Sequence, residues 1–389
     1  MFVLWLLGRF LGLGVFTWEI NKMVLDINSH RRTFLKFAGV GAGVALFPGL
    51  ARADIPASLV AAAQKEGRLN TIALPPDWAN YGEILSTFQK KYGIPIHNAA
   101  PDDSSAQELQ SIRSLRGQSR GPDVVDVGTS FALAGAQEGL FRPYKVTTWD
   151  TIPDSMKDPN GLWYGDYFGI VSFGANMSVA KAAPQSWADL KKPEYKGMVA
   201  LNGSPLGASA AFSAVVAAAL GNGGSLDNIM PGIEFFAELA KIGNFNPSAA
   251  TSASLVSGQT PVVINWDYLN LAQADKAKGV TPISTVIPDD ATPYGAYYCQ
   301  AISKFAPNPK AAELWQEFIY SDEGQLLYLK GFAHPARFSA MVASGAIPAD
   351  LLASLPPAAP YAKAVFCTQD QTKKAEALLN AHWAEMVKS

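Results

Sequence analysis

Cysteine, histidine and charge are all scarce in this sequence. Only two cysteines, Cys299 and Cys367, occur among 389 residues. That number excludes a disulfide framework and a four-cysteine zinc site, so the fold must rest on hydrophobic packing. Of four histidines, His30 lies near the N-terminus, and His97, His334 and His382 stand far apart with no carboxylate or cysteine at metal-binding spacing. A Walker-type loop, a nucleophile elbow, a zinc-binding His-Glu-x-x-His and a dinucleotide fingerprint are all missing, which argues against a hydrolase or oxidoreductase, and no cofactor is expected. Charged residues make up only 16 %, with 31 basic against 33 acidic, a net charge of -2 that excludes a globally basic nucleic-acid binder. What the chain does have is 49 % hydrophobic residues with 9 Trp, 13 Tyr and 20 Phe. That is too apolar for disorder, and the length allows two or three domains with ample core.

The N-terminus explains part of the charge balance. Residues 30–53 place Arg31-Arg32 ahead of Phe34, Leu35 and Lys36, then an apolar Gly/Ala-rich run ending in Ala51-Arg52-Ala53. This is the twin-arginine form of a secretory signal, with cleavage expected before Asp54 and a periplasmic destination. The apolar run is shorter than the ~20 residues that span a bilayer, so cleavage is expected over anchoring. Residues 1–22 precede Met23 and read either as an over-called translation start or as an extended leader. Removing residues 1–53 takes away six basic and two acidic groups, leaving 25 against 31 and a net charge of -6.

Beyond the leader, strands and helices alternate. A short helix over 55–66, a strand at Leu69–Leu74 and a Pro75-Pro76-Asp77-Trp78 loop precede a helix with Ile84, Leu85, Phe88 and Tyr92 at helical spacing. A strand follows Gly93-Ile94-Pro95-Ile96, and Asp103-Ser104-Ser105 through Glu108 reads as a capped helix start. Then come a strand at Asp123–Val127 and a helix over Ala132–Gly139. The same alternation recurs with strands at Gly169–Phe173, Met198–Leu201 and Pro261–Asn265, and helices at Ala210–Leu220 and Ile233–Ile242. Late in the chain Asn308-Pro309 opens a helix carrying Leu314, Trp315, Phe318 and Ile319. The Ala/Pro-rich Ala346–Ala362 reads as a surface excursion. This order predicts an α/β fold in two lobes, each a mostly parallel sheet flanked by helices.

Several stretches resemble, in order, the extracytoplasmic solute-binding proteins of ABC importers, in the subgroup of the spermidine/putrescine-binding proteins. They are Trp78-Ala-Asn-Tyr81, Pro122-Asp-Val-Val-Asp126, Glu138-Gly-Leu-Phe-Arg-Pro143, Trp163-Tyr164-Gly165, Ser186 through Gly197, Asn308-Pro-Lys-Ala-Ala312 and Ser321-Asp-Glu-Gly-Gln325. The 186–197 segment is the most specific of them. The resemblance implies a type II periplasmic-binding fold with hinge strands between the lobes and a ligand cleft that closes and presents itself to a membrane permease. The implied limits are 54–158 with 283–345 for one lobe and 159–282 with 346–389 for the other. The implied partners are a small-molecule ligand and the transmembrane subunits of an ABC permease, with no nucleic acid and a monomeric state.

In the polyamine-binding relatives, aromatic side chains sandwich the ligand and carboxylates capture its ammonium groups. Trp78, Tyr81 and Trp266 match such aromatics, but the carboxylates do not carry over. After Lys196-Gly197 this chain has Asn202-Gly203-Ser204-Pro205-Leu206-Gly207-Ala208-Ser209, and Tyr298 stands where an aspartate is expected. An amine would need Asp267, Asp77 or Asp166 from a new direction. The Gly/Ser turn running into an Ala-rich helix, with Ser204 and Ser209, favours an anionic or zwitterionic group instead, and Thr129-Ser130 adds hydroxyls. The expected cargo is a small organic amine or zwitterion of the polyamine-like class, bearing a carboxylate or phosphonate. Two alternatives stand beside it. One is a ferric-iron receptor of the same fold, built on Tyr297, Tyr298, Tyr294 and Tyr164; the first two are adjacent and would face opposite sides of a strand. The other is a Tat-exported enzyme. Cys299 and Cys367 are left open between one disulfide and two thiols.

Overall fold

The computed structural model describes residues 55–388; the twin-arginine leader and its cleavage before Asp54 lie outside the described residues. The first third alternates as expected: α1 (Ala57–Glu66), β1 (Leu69–Ile72), α2 (Tyr81–Tyr92), β2 (Ile96–Ala99), α3 (Ser105–Ser114), β3 (Val124–Gly128), α4 (Thr129–Gln137) and β4 (Phe141–Arg142). The long β5 (Tyr164–Asn176) follows, then β6 (Val199–Leu201), α5 (Ser209–Gly221), α6 (Met230–Ile242), α7 (Ser252–Ser257), β7 (Val262–Trp266), α8 (Asp267–Lys276), β8 (Ile283–Val286) and β9 (Gly295–Ser303). The last quarter is α9 (Pro309–Ile319), α10 (Asp322–Lys330), β10 (His334–Pro335), α11 (Phe338–Ser344), α12 (Ala349–Ser354), α13 (Ala358–Lys363) and α14 (Gln369–Met386). No helix among the described residues is long and apolar enough to cross a membrane.

Local chemistry explains several of these helices. In α2 the stripe Ile84, Leu85, Phe88 and Tyr92 is buried, and Phe88 meets Trp315 and Phe318 of α9 edge-on at 5.4 and 5.6 Å. Each such side chain contributes about 1.5–3 kcal/mol by leaving water. Phe88→Ala alone would cost about 3–5 kcal/mol. At α3 the Gln107 side chain accepts from the Ser104 N–H at 2.9 Å, one half of a capping box. Asn308 does not cap α9 as expected. Its backbone N–H and side-chain amide both donate to the buried Asp123 carboxylate, at 2.6 and 2.9 Å, which ties α9 to the edge of β3.

The sheet is mixed, which corrects the expectation of mostly parallel lobes. Among the strands of the described residues, only β1–β2 and β6–β7 pair in parallel. The order β3-β9-β5-β7-β6 is otherwise antiparallel, with β4 on β9 and with β8 and β10 on β5. The cause is the crossing strands: β5 and β9 run in opposite directions and impose their antiparallel sense on their neighbours. Tyr164–Ile170 of β5 pairs with β9, whereas Val171–Asn176 pairs with β7 and β8. Two lobes therefore meet along one strand whose thirteen residues are all buried. The short β8, where the sequence returned the chain to the first lobe, lies against the second half of β5. Ala346–Ala362 is more than an excursion, because it holds α12 and the start of α13, and the buried Tyr361 donates to Asp267. Cys299 and Cys367 are free thiols.

Candidate functional site

Between the two lobes lies a cleft of about 610 Å³. One wall is the Pro75–Trp78 loop, the Pro101–Ser105 entry to α3 and Asp126 in the middle of β3; the other is Asn202–Ala210 and Ala249–Ala253, with Tyr298 of β9 between them. The volume falls within the ~300–1,000 Å³ usual for small-molecule sites. The lobes approach closely here. The Ala106 N–H points at the Gly207 carbonyl at 3.4 Å, and a Cβ built on Gly128 would lie 2.0 Å from Ser209 Oγ, so only glycine allows that contact.

Two helix N-termini, one from each lobe, open on this cleft: α3 at Ser104-Ser105 and α5 at Ala208-Ser209. Their states differ. The Ser105 hydroxyl is engaged with the Gly128 N–H at 3.1 Å. By contrast α5 begins after Ala208, which has no side-chain oxygen, and its first turn carries no side-chain cap. Nearly all of α5 is buried. A buried helix normally satisfies its first N–H groups with a cap, water or ligand, and this end faces a cavity rimmed by the hydroxyls of Ser104, Ser204, Ser209, Thr251 and Ser252. A first turn without a capping side chain and the positive end of the helix dipole favour an anion.

The back of the cleft has the opposite character. Trp78 and Tyr298 meet there at 5.6 Å and 75°. Asp126 and Glu108 line the same space. Asp126 is 5 % exposed, and its Oδ2 accepts from the hydroxyls of Tyr81 at 2.7 Å and Tyr167 at 2.9 Å. Its Oδ1 has no hydrogen-bond partner among the described residues. Glu108 Oε2 accepts from the Asp126 N–H at 3.0 Å. Behind them Asp166 Oδ2 accepts from Tyr328 at 3.0 Å and from the Gln300 amide at 3.2 Å. Burial raises all three carboxyls: Asp166 to about 7, Asp126 well above the usual range with Asp166 adding repulsion, and Glu108 likewise with Asp126 adding to it. No lysine or arginine is among the residues lining the cleft.

Of the residues the sequence singled out, the cleft gathers Trp78, Ser204, Ser209 and Tyr298, together with Asp77. Others lie elsewhere. Tyr81 is fully buried behind the wall with its hydroxyl on Asp126, because Ala79 and Asn80 both take positive φ (44° and 66°) and turn the chain between Trp78 and Tyr81. Trp266 is a core residue stacked beside Tyr268 at 6.4 Å. Asp267 is buried too, accepting from the Ile170 N–H at 2.8 Å and from Tyr361, with burial lifting its carboxyl to about 6. Thr129 and Ser130 border a neighbouring water-sized cavity of about 20 Å³ that shares Ser209. The four tyrosines weighed as iron ligands are dispersed. Tyr298 faces the cleft, the Tyr297 hydroxyl donates to the Ser155 carbonyl at 3.1 Å, Tyr294 borders the small cavity, and Tyr164 packs on Tyr320 at 4.7 Å. Among the described residues no group of three or more His, Cys, Asp or Glu is placed to hold a metal ion. The sequence reading missed Asp126, Glu108, Ser104 and Thr251. The capping pattern at Ser104 was a signal for where one helix end would lie, but β3 is buried throughout and gave no alternation to mark Asp126 as facing a cavity.

Residues 120–361, more than half of the chain, match the family described as bacterial extracellular solute-binding protein. A protein of Salmonella typhimurium named "Putative 2-aminoethylphosphonate-binding periplasmic protein" is 32 % identical over 163 residues, 41 % of this chain and 45 % of that one. A second such protein, from Salmonella typhi, is 31 % identical over 205 residues, 51 % of this chain and 56 % of that protein, so the matches span about half the length of these relatives. Among solved structures, a periplasmic binding protein of Actinobacillus pleuropneumoniae with bound fructose-6-phosphate aligns with a TM-score of 0.64 at 20 % identity, covering 82 % of this chain and 99 % of that chain. The spermidine/putrescine transporter substrate-binding protein of Streptococcus pneumoniae aligns at 0.56 and 15 %, covering 82 % and 100 %. These likenesses carry the two-lobed fold. The family and these neighbours are substrate-binding transport proteins, not enzymes.

Proposed function

The chain belongs to the bacterial extracellular solute-binding protein family, and from that membership we propose that it is the periplasmic receptor of an ABC importer whose cargo is a small zwitterion with an anionic phosphonate or carboxylate end. The observation that carries the anionic end is the uncapped N-terminus of α5, buried along its length and opening into the hydroxyl-lined cleft. A simple diamine leaves those donors unanswered. A ferric ion finds the tyrosines scattered and no carboxylate cluster at metal geometry among the described residues. The Salmonella relatives named for 2-aminoethylphosphonate supply a concrete candidate of this chemistry. We assign the lobes as 54–158 with 283–345 and 159–282 with 346–389, the short β8 lying against the second lobe. We take export to follow the twin-arginine route, with cargo handed to the permease by the monomer. The test is a thermal-shift series with 2-aminoethylphosphonate, putrescine and ferric citrate. At a hundredfold excess over Kd a specific ligand stabilises by about 2.7 kcal/mol, so 2-aminoethylphosphonate should raise the Tm by several degrees and the other two should not. A shift by putrescine or ferric citrate alone would overturn the reading.

A further inference from the structure

The anionic end accounts for one side of the cleft and leaves the other unexplained. Asp126 is an unusual wall residue: nine-tenths buried, with one carboxylate oxygen saturated by two tyrosine hydroxyls and the other without a partner while bordering a cavity. Buried polar atoms are normally paired, and an orphan in a ligand cleft is a place where ligand is expected. The aromatic rings of Trp78 and Tyr298 stand beside it, and the Trp78 indole donates to the Tyr167 hydroxyl at 2.7 Å, which in turn donates to Asp126. One unpaired oxygen beside aromatic walls suits an organic cation rather than a metal ion, which needs several ligands.

We propose that Asp126, flanked by Glu108 and walled by Trp78 and Tyr298, is the subsite for the ammonium end of the ligand, and that capture of the ligand expels one proton from this carboxyl cluster. The inference rests on the zwitterion reading above. Every titratable group facing Asp126 is a carboxylic acid, a phenol or a thiol: Glu108 from α3, Asp166 and Tyr167 from β5, Tyr81 from α2, Tyr328 from α10, Tyr268 from α8, and Tyr298 and Cys299 from β9. With no cation among them, burial and the neighbouring Asp166 favour the protonated form of the Asp126 carboxyl in the free protein. The arriving ammonium keeps its own protons, the Asp126 O–H bond breaks, the proton goes to solvent, and a carboxylate–ammonium pair remains, so the charge balances. Because the carboxyl is raised in the free protein and ionised in the complex, binding tightens as pH rises and weakens as pH falls below the free-state value.

The experiment is isothermal titration of the full mature chain at pH 6 in two buffers of different ionisation enthalpy, with 2-aminoethylphosphonate and its amine-free analogue ethylphosphonate, on wild type and Asp126→Asn. The wild type should prefer the amine at least tenfold, as charge-assisted pairing implies. Asp126→Asn should erase that preference, leave ethylphosphonate affinity within about twofold, and release about one proton fewer per ligand, a difference that cancels the ligand's own ionisation. If wild type binds both phosphonates equally, the ammonium subsite is wrong and the anionic reading survives. If neither binds, both are wrong. An Asp126→Asn protein that retains the amine preference, or the same proton count, also overturns the proposal. The wild-type comparison needs no variant to fold.

Discussion

Gly128→Ala offers a test of cleft closure whose sign differs between the free and the loaded protein. Gly128 ends β3 with φ -60° and ψ 156°, a conformation that alanine adopts without strain. In isolation the first lobe should therefore be no less stable, and the loss of unfolded-state freedom should favour it by about 0.4–1 kcal/mol. The new methyl group, however, would lie 2.0 Å from Ser209 Oγ and 2.3 Å from Ser209 Cβ, both at the start of α5 in the opposite lobe. Carbon atoms in contact need roughly 3.5–4.0 Å, so the lobes must part by more than an ångström or the side chains must leave their rotamers. Overpacking of this kind costs about 1–3 kcal/mol, and if the contact belongs to the closed state, affinity falls by about 5- to 150-fold. Titration calorimetry with 2-aminoethylphosphonate reads the affinity, and the melting temperature of the free protein reads the lobe. Adding Ser209→Gly removes both clashing atoms and should restore most of the loss. A free-protein Tm that drops along with affinity would show a fixed core contact and refute the closure argument; unchanged affinity would refute it as well.

Four further outcomes are expected. Ala208→Asp places a preferred N-cap residue before α5, so it should stabilise the fold by about 0.5–2 kcal/mol while its carboxylate occupies the anion position and lowers phosphonate affinity at least tenfold; a gain in both would contradict the anionic end. His334 is buried against Phe168, Phe338 and Tyr361, and burial depresses its pKa to about 4. Its contribution, on the order of 3 kcal/mol, is present above its ordinary value near 6.5 and lost as pH falls through about 4, so His334→Gln should flatten the acid limb of a urea-stability profile over that window. Asp267 runs the other way. Its folded-state value of about 6 lies above the unfolded one, so its contribution is full below pH 4 and lost as pH rises through 6, and Asp267→Asn should flatten that decline. Finally, alkylation of the denatured mature chain without reductant should add two adducts, at Cys299 and Cys367, and a mass unchanged until reduction would refute the free thiols.

The helices were legible in the sequence and the strand directions were not, for a physical reason. Ile84, Leu85, Phe88 and Tyr92 repeat at 3.6 residues because one side of α2 faces the core, and Gln107 follows Ser104 by three residues because its side chain accepts from the Ser104 N–H at the start of α3. The strands β3, β5 and β7 are buried on both faces. No alternation then marks which residues see the cleft, and nothing local fixes whether a neighbour runs parallel. Trp266 and Asp267 looked like cleft residues because they close a strand and open a helix, yet the stacking on Tyr268 and the bonds to Ile170 and Tyr361 make them structural.

The same blindness hid the carboxylates. After Lys196-Gly197 and on β9, where the resemblance implies acids, stand Ser204, Ser209 and Tyr298, so the sequence alone implies a loss of counter-charge. The fold places Asp126 and Glu108 in the same cleft as Tyr298. The Ser204–Ser209 turn, freed of acid, leaves the start of α5 without a capping side chain. One cavity thereby brings together a helix start without a capping side chain and an unpaired carboxyl oxygen, each costly to bury alone, and the proposed zwitterion rests on that pair.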